Sequence, residues 1–325
     1  MMGVHELTAI PSDAIVLSAP LSDRATVAHY EGFRQELLRF YPSLCDRVDP
    51  NDRFIIAADV ATRQALLNAG NSTAHLLESG LPDIWCRDVC PVITPYHAVQ
   101  FKYRPPLVEE SDAKHIESGY RQFVKRVGLC VTTSDLTVDG GNFCHNGVDS
   151  AVITRRMACA NNIKREDLIK ELVRLTGMKH IAVIPEEPGD KLGHADGVVS
   201  WLGPECLVMN RYDEPYQQPF RKEVQTILRQ TFPGITIVDL PYAPTEKTWK
   251  GYPDATGVYT NILHTANAAY VPVFGLPQDE EAVAMVAQHC DRKAIPVPMG
   301  KVAEMGGGLR CLTWQNRVTH RAVPL

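Results

Sequence analysis

Cys311 closes the run Met305-Gly306-Gly307-Gly308-Leu309-Arg310-Cys311, and the same chain carries Gly193-His194-Ala195-Asp196. A thiol at the end of a glycine-rich turn, an imidazole and spare carboxylates are the groups that cysteine-based attack on a guanidinium carbon requires. The thiolate is the nucleophile, the imidazole moves protons and the carboxylates hold the cation. Triple glycine before a cysteine lets backbone approach a ligand closely, with no Cβ in the way.

A guanidinium carbon resists attack because its charge is spread over three nitrogens and persists at any ordinary pH. An enzyme must therefore hold the cation rigidly, supply a strong nucleophile and protonate the departing nitrogen. Carboxylates accept two parallel N–H bonds. Cysteine is the most nucleophilic side chain available near neutrality, and histidine titrates close to the working pH. Each residue also has a plainer reading. Cys311 could be a core thiol ahead of Leu312-Thr313-Trp314, and His194 a satisfied core histidine. Asp88 could pair with Arg87, and Asp139 could be the turn residue of Asp139-Gly140-Gly141. Trp85, Trp249 and Trp314 read as core aromatics, one of which could wall a substrate chain. Cys86 and Cys90 flank Arg87-Asp88 and could be redox-sensitive or simply packed. His194-x-Asp196 beside cysteines could mimic a zinc site, but paired Cys-x-x-Cys and His-x-x-x-His spacings are absent.

The elements that position these residues recur. Residues about 59–70, 115–127, 166–176, 217–231 and 278–290 have the 3.6-residue apolar period of amphipathic helices. Short β-branched or apolar runs follow them at 75–77, 129–132, 181–184, 235–238 and 294–297, and others lie at 150–154 and 205–209. The loops between hold Asp88, Asp139, His194, Asn261 and Cys311, at intervals of 51, 55, 67 and 50 residues taken from those positions. A period near 50 predicts a repeat architecture whose loops converge on one pocket. The competing reading is an α/β fold in which similar element lengths give the spacing by accident.

Composition agrees with one globular domain over residues 1–325: 45% hydrophobic, 22% charged, with no linker or low-complexity tract. A net charge of −5 without basic clusters argues against a nucleic-acid partner and suits a small cationic substrate. Residues 1–7 lack a basic-then-apolar leader, and no apolar run is long enough to span a bilayer, so a cytoplasmic location without membrane contact is expected. Nine dispersed cysteines are expected to be reduced, with Cys45, Cys130, Cys206 and Cys290 serving as small core hydrophobes.

Trp85-Cys86-Arg87-Asp88, Asp139-Gly140-Gly141-Asn142, Gly193-His194-Ala195-Asp196, Tyr259-Thr260-Asn261 and Gly306-Gly307-Gly308-Leu309-Arg310-Cys311 occur in the order of the guanidino-group-modifying superfamily. Within it the chain resembles the agmatine deiminase and bacterial-type peptidylarginine deiminase family over residues 54–315. The resemblance implies a pentein fold, a five-bladed α/β propeller with pseudo-fivefold symmetry. It implies Cys311 as nucleophile, His194 as general acid and base, and Asp88 and Asp196 as guanidinium-binding carboxylates. Asp139 would support the histidine or the substrate, and Asn261 would line the pocket, with Trp85 against the substrate. No cofactor or metal is implied, and a homo-oligomer is compatible.

The chain departs from the family pattern at Arg310, where agmatine deiminases usually carry histidine and arginine deiminases carry arginine, at Asp139 where many relatives place glutamate, and at Trp314-Gln315 in place of the more typical Gln-Gln. These changes blur the substrate. The expected reaction is hydrolysis of a small guanidino compound, agmatine foremost, to a ureido product and ammonia. Arginine or peptidylarginine deimination, amidino transfer and a silent binding protein are the alternatives.

Overall fold

The computed structural model describes residues 10–11 and 13–316. Residues 1–7, read above as lacking a leader, lie outside the described residues. One unit recurs: an antiparallel strand pair, a helix, and a third strand parallel to the second. Val92–Ile93 and Ala98–Lys102 pair, helix Glu110–Arg126 crosses, and Thr132–Thr137 returns parallel. Cys144–His145, Ser150–Thr154, helix Arg165–Thr176 and His180–Ile184 repeat the order. So do Val199–Gly203, Cys206–Asn210, helix Gln218–Thr231 and Thr236–Leu240. Leu263–His264, Ala268–Val273, helix Asp279–His289 and Lys293–Pro298 repeat it again.

Besides the two-stranded hairpin Thr248–Trp249 and Tyr252–Pro253, the remaining sheet is made from both ends of the described chain. Thr313–Asn316 runs antiparallel to Ala14–Ser18, helix Arg34–Cys45 crosses, and Arg53–Ala58 lies parallel, with Leu76–Glu78 added at its edge. A parallel pair needs such a crossover because a tight turn cannot reverse the chain between its strands. Strands covered on both faces are apolar throughout rather than alternating. Accordingly Ala14–Ser18 and Ser150–Thr154 are buried at every position. The crossover helices bury one stripe each. In Arg165–Thr176 that stripe is Leu168, Leu172 and Leu175, with Glu166 and Asp167 at the positive end of the helix dipole and Gly177 (φ +72°) ending it.

Four of the five expected helices are these crossovers. The fifth, near 59–70, is helix Val60–Asn68, which connects Arg53–Ala58 to the edge strand instead. The equivalent crossover is Arg34–Cys45, whose Pro42 and neighbouring Phe40 and Tyr41 obscure the helical signal. The run at 129–132 is not a strand before Thr132. Gly128 takes φ +75° and the Leu129 amide donates to the Val124 carbonyl at 3.2 Å, so these residues terminate the preceding helix. Cys130 there is exposed rather than core, and Cys45, Cys206 and Cys290 are half-buried. Among the described residues no helix is long and apolar enough to cross a membrane.

Candidate active site

Each of the five loop residues sits on a short turn just ahead of the first strand of a sheet. The helical turn Cys86–Val89 carries Asp88 into Val92–Ile93, and Asp139 caps the turn Gly140–Asn142 before Cys144–His145. His194 caps Ala195–Gly197 before Val199–Gly203, and Asn261 precedes Leu263–His264. Cys311 lies in Leu309–Leu312, which runs into Thr313–Asn316. Repetition of one unit thus brings the same structural position to a common centre five times.

The side chains meet there. His194 Nε2 lies 3.2 Å from Asp139 Oδ2, and its Nδ1 lies 3.7 Å from Asp88 Oδ1. Cys311 Sγ is 3.8 Å from Asp196 Oδ2, and the Asn261 amide donates to it at 3.3 Å. Asn261 Oδ1 in turn accepts the backbone amides of Arg310, at 2.8 Å, and Cys311, at 3.3 Å. One amide side chain therefore holds both the sulfur and the turn that presents it. Asp190 performs the same service for the histidine loop, accepting the amides of Leu192 at 2.8 Å and His194 at 3.1 Å.

Glycines permit this crowding. A Cβ on Gly141 would lie 2.7 Å from Asp88 Oδ1, 2.7 Å from His194 Nδ1 and 3.3 Å from Asp196 Oδ1. The Gly141 amide also donates to Asp88 Oδ1 at 2.8 Å. A Cβ on Gly307 would enter the Trp85 ring at 2.3 Å, so the glycine-rich turn packs flat on that indole.

Three carboxylates around one imidazole and one thiol set the protonation states. Burial alone would lower the His194 pKa. Asp88 first, and then Asp139 and Asp196, outweigh it and raise the imidazole to about 10. Burial, reinforced by the charges of Asp196 and Asp88, pushes the Cys311 thiol well above its ordinary value. Burial also raises the Asp88 carboxyl, with His194 opposing and Asp139 and Asp196 adding to the rise. Empty, the site holds an imidazolium and a neutral thiol near pH 7.

Arg310 makes a contact the sequence did not announce. Its guanidinium donates to Asp196 Oδ2 at 2.6 Å and to the Phe143 carbonyl at 3.3 Å. One oxygen of the predicted substrate-binding Asp196 is thus engaged internally. Asp139 Oδ1 is buried with no partner among the described residues. Asp88 does not pair with Arg87, whose Nε reaches the Arg310 carbonyl at 3.4 Å. Cys86 and Cys90 are buried, with burial raising Cys86 to about 12 and Cys90 well above its ordinary value, so both remain packed thiols. Trp314 is core, donating to the Pro91 carbonyl at 2.9 Å, whereas Trp249 stacks on Tyr30 at the wall of the main cavity.

That cavity, about 1020 Å³, reaches from Cys311, His194, Asp88 and Asp196 to a rim at the hairpin Thr248–Trp249 and Tyr252–Pro253. Nine carboxylate residues line it against two lysines, Lys247 and Lys250. Lys250 is already engaged with the His29 carbonyl at 2.7 Å and the Trp249 ring. The cavity is built to receive positive charge.

A family model for Porphyromonas-type peptidyl-arginine deiminase matches residues 9–316. Among solved structures, the chain is similar to the C. jejuni agmatine deiminase, with TM-score 0.74, 16% identity, and 94% of this chain and 95% of that one covered. It is likewise similar to the Enterococcus faecalis agmatine deiminase, with TM-score 0.75, 14% identity and 95% of each chain covered. At such identities these likenesses concern the fold. No curated protein sequence gives a significant match.

Proposed function

Because the chain belongs to the Porphyromonas-type peptidyl-arginine deiminase family, hydrolases of guanidino C–N bonds, we propose that it deiminates a small guanidino dication. Agmatine is the best fit, giving N-carbamoylputrescine and ammonia. The observation that carries the choice is the lining of the cavity, nine carboxylates against two lysines. A ligand with a guanidinium at one end and an ammonium at the other satisfies that field along its whole length. Free arginine would have to place an α-carboxylate among nine acids with Lys247 as the one lining lysine not shown engaged, a costly arrangement.

In this reading the five sheets form a five-bladed, pseudo-fivefold pentein arrangement within a single catalytic domain, and the turns meet on its axis. Asp88 and the free oxygen of Asp196 grip the guanidinium. The incoming cation offsets the anionic field that holds Cys311 protonated, so the thiol ionises as substrate arrives. Sulfur adds to the guanidinium carbon, and His194 gives its proton to the nitrogen that leaves as ammonia. The carbon then carries an S-alkylthiouronium on Cys311. The neutral imidazole takes a proton from water as that water attacks the same carbon, and collapse expels the thiolate with the ureido product. Dividing the reaction at a covalent intermediate lowers each barrier, and the positioned acid–base contributes about 10²–10⁴-fold. Asp139 keeps the imidazole oriented through its 3.2 Å contact.

A second reading has support in the cavity volume. At about 1020 Å³ the cleft exceeds what agmatine fills and would admit an arginine side chain at the end of a peptide. The test is a panel of agmatine, arginine, methylated arginines and a blocked arginine peptide, assayed for ammonia and ureido product. The agmatine reading predicts the highest kcat/KM for agmatine. A peptide turned over faster would replace it, and strict dependence of turnover on an added amine would indicate amidino transfer.

A further inference from the structure

A second cavity of about 450 Å³ is lined by immediate chain neighbours of the candidate catalytic residues: Arg87 beside Asp88, Arg310 beside Cys311 and Ile262 beside Asn261. It shares no lining residue with the acidic cleft, and its chemistry is the reverse. Arg87, Arg292 and Arg310 line it with His145 and His264, and no carboxylate does.

The three guanidiniums are not equally satisfied. Arg310 is neutralised by Asp196 at 2.6 Å. Arg292 donates to the carbonyls of Thr265 at 2.9 Å and Leu202 at 2.6 Å, and its one acid neighbour, Asp291, is 91% solvent-exposed. Arg87, which lines the cavity, has no carboxylate within ion-pair distance among the described residues; its 3.4 Å hydrogen bond from Nε to the Arg310 carbonyl engages neither terminal nitrogen. Neighbouring arginines add positive charge around these groups. Burial first, and then the Arg310 charge, bring Arg87 down to about 10, while burial followed by Arg292 and Arg310 brings His264 down to about 3. An enclosed, unpaired guanidinium is an expensive arrangement unless something compensates it. Its planar fork matches the paired oxygens of phosphate and carboxylate groups.

We infer that this cavity is a binding site for a small oxyanion, a phosphate or carboxylate group, held chiefly by Arg87 with Arg310 and Arg292 supplying the remaining positive field. Its volume is enough for such an anion and a short carbon skeleton, and too small for a polymer. The two cavities share no lining residue, and Arg310 bridges them through its 2.6 Å contact with Asp196.

Isothermal titration calorimetry on the full chain tests it, with inorganic phosphate in one arm and malonate in the other, at ionic strength held constant with chloride. The expected result is saturable binding of one anion per chain, the tighter arm telling whether the natural ligand presents phosphate or carboxylate. Arg87→Gln removes charge-assisted hydrogen bonds and should weaken binding by roughly 10- to 100-fold. Should Arg87→Gln fail to fold, Gln315→Glu provides the alternative: nearly isosteric, it puts a negative charge in the lining and should weaken binding roughly ten-fold or more. Absence of saturable binding in both arms overturns the inference, as does unchanged affinity in a folded Arg87→Gln protein or in Gln315→Glu.

Discussion

Gly141→Ala adds a single methyl group, and the geometry around it makes the outcome sharp. The new carbon would lie 2.7 Å from both Asp88 Oδ1 and His194 Nδ1, about 0.7 Å inside ordinary van der Waals contact, and 3.3 Å from Asp196 Oδ1. Both close neighbours are held in place, Asp88 by the Gly141 amide itself at 2.8 Å and His194 by Asp139 at 3.2 Å. Relief must therefore come from shifting the carboxylate and the imidazole themselves by several tenths of an ångström. Misplacement on the scale of 1 Å costs about 10²-fold in rate, so kcat/KM for agmatine should fall by about 10²-fold. Gly141 is not in the positive-φ region, so alanine meets no backbone strain there. The melting temperature should therefore fall much less than activity does. Steady-state ammonia release alongside thermal unfolding separates the two effects. A Gly141→Ala enzyme with kcat/KM near the parent value would refute the claim that Asp88, His194 and Asp196 act together on one substrate group.

Asn261→Ala leaves the Cys311 amide and much of the Arg310 amide bonding without an acceptor; unfolding should show a loss of about 1–3 kcal/mol, with kcat reduced more than KM is raised. The pH profile should be bell-shaped. His194 binds its proton more tightly than a free imidazole, so the acid form persists well above pH 6.5 and activity should fall only as pH rises through about 10. On the acid side Asp88 must be ionised, and burial raises it, so kcat/KM should decline at a pH above the ordinary carboxylate range. The same His194 shift stabilises the fold fully below pH 6.5, and that contribution is lost as pH rises through about 10. Cys311 rests as a thiol, so agmatine binding near pH 7 should release about one proton, seen as buffer-dependent binding enthalpy; a Cys311→Ser enzyme should release none.

Much of this was legible in the chain because one unit is repeated. Five amphipathic stretches and five loops at intervals near 50 residues located the turns holding Asp88, Asp139, His194, Asn261 and Cys311, all now found around one centre. What escaped had a physical reason in each case. Helix Arg34–Cys45 hides its period behind Pro42 and two aromatics. The run at 129–132 has the apolar character of a strand, but it packs beneath a helix end. The Arg310–Asp196 pair joins residues 114 apart, and no periodicity encodes a contact between two different repeats. Gly141 looked like an ordinary turn residue, because its value lies in the Cβ it lacks among groups brought together only by the fold.

Mass spectrometry of enzyme quenched during turnover of agmatine addresses the covalent step itself. The account predicts an alkylthiouronium adduct on the peptide that contains Cys311, absent from Cys311→Ala, together with loss of ammonia release in that variant. Ammonia release by Cys311→Ala at a rate near the parent enzyme, or an adduct on a different cysteine, would contradict it.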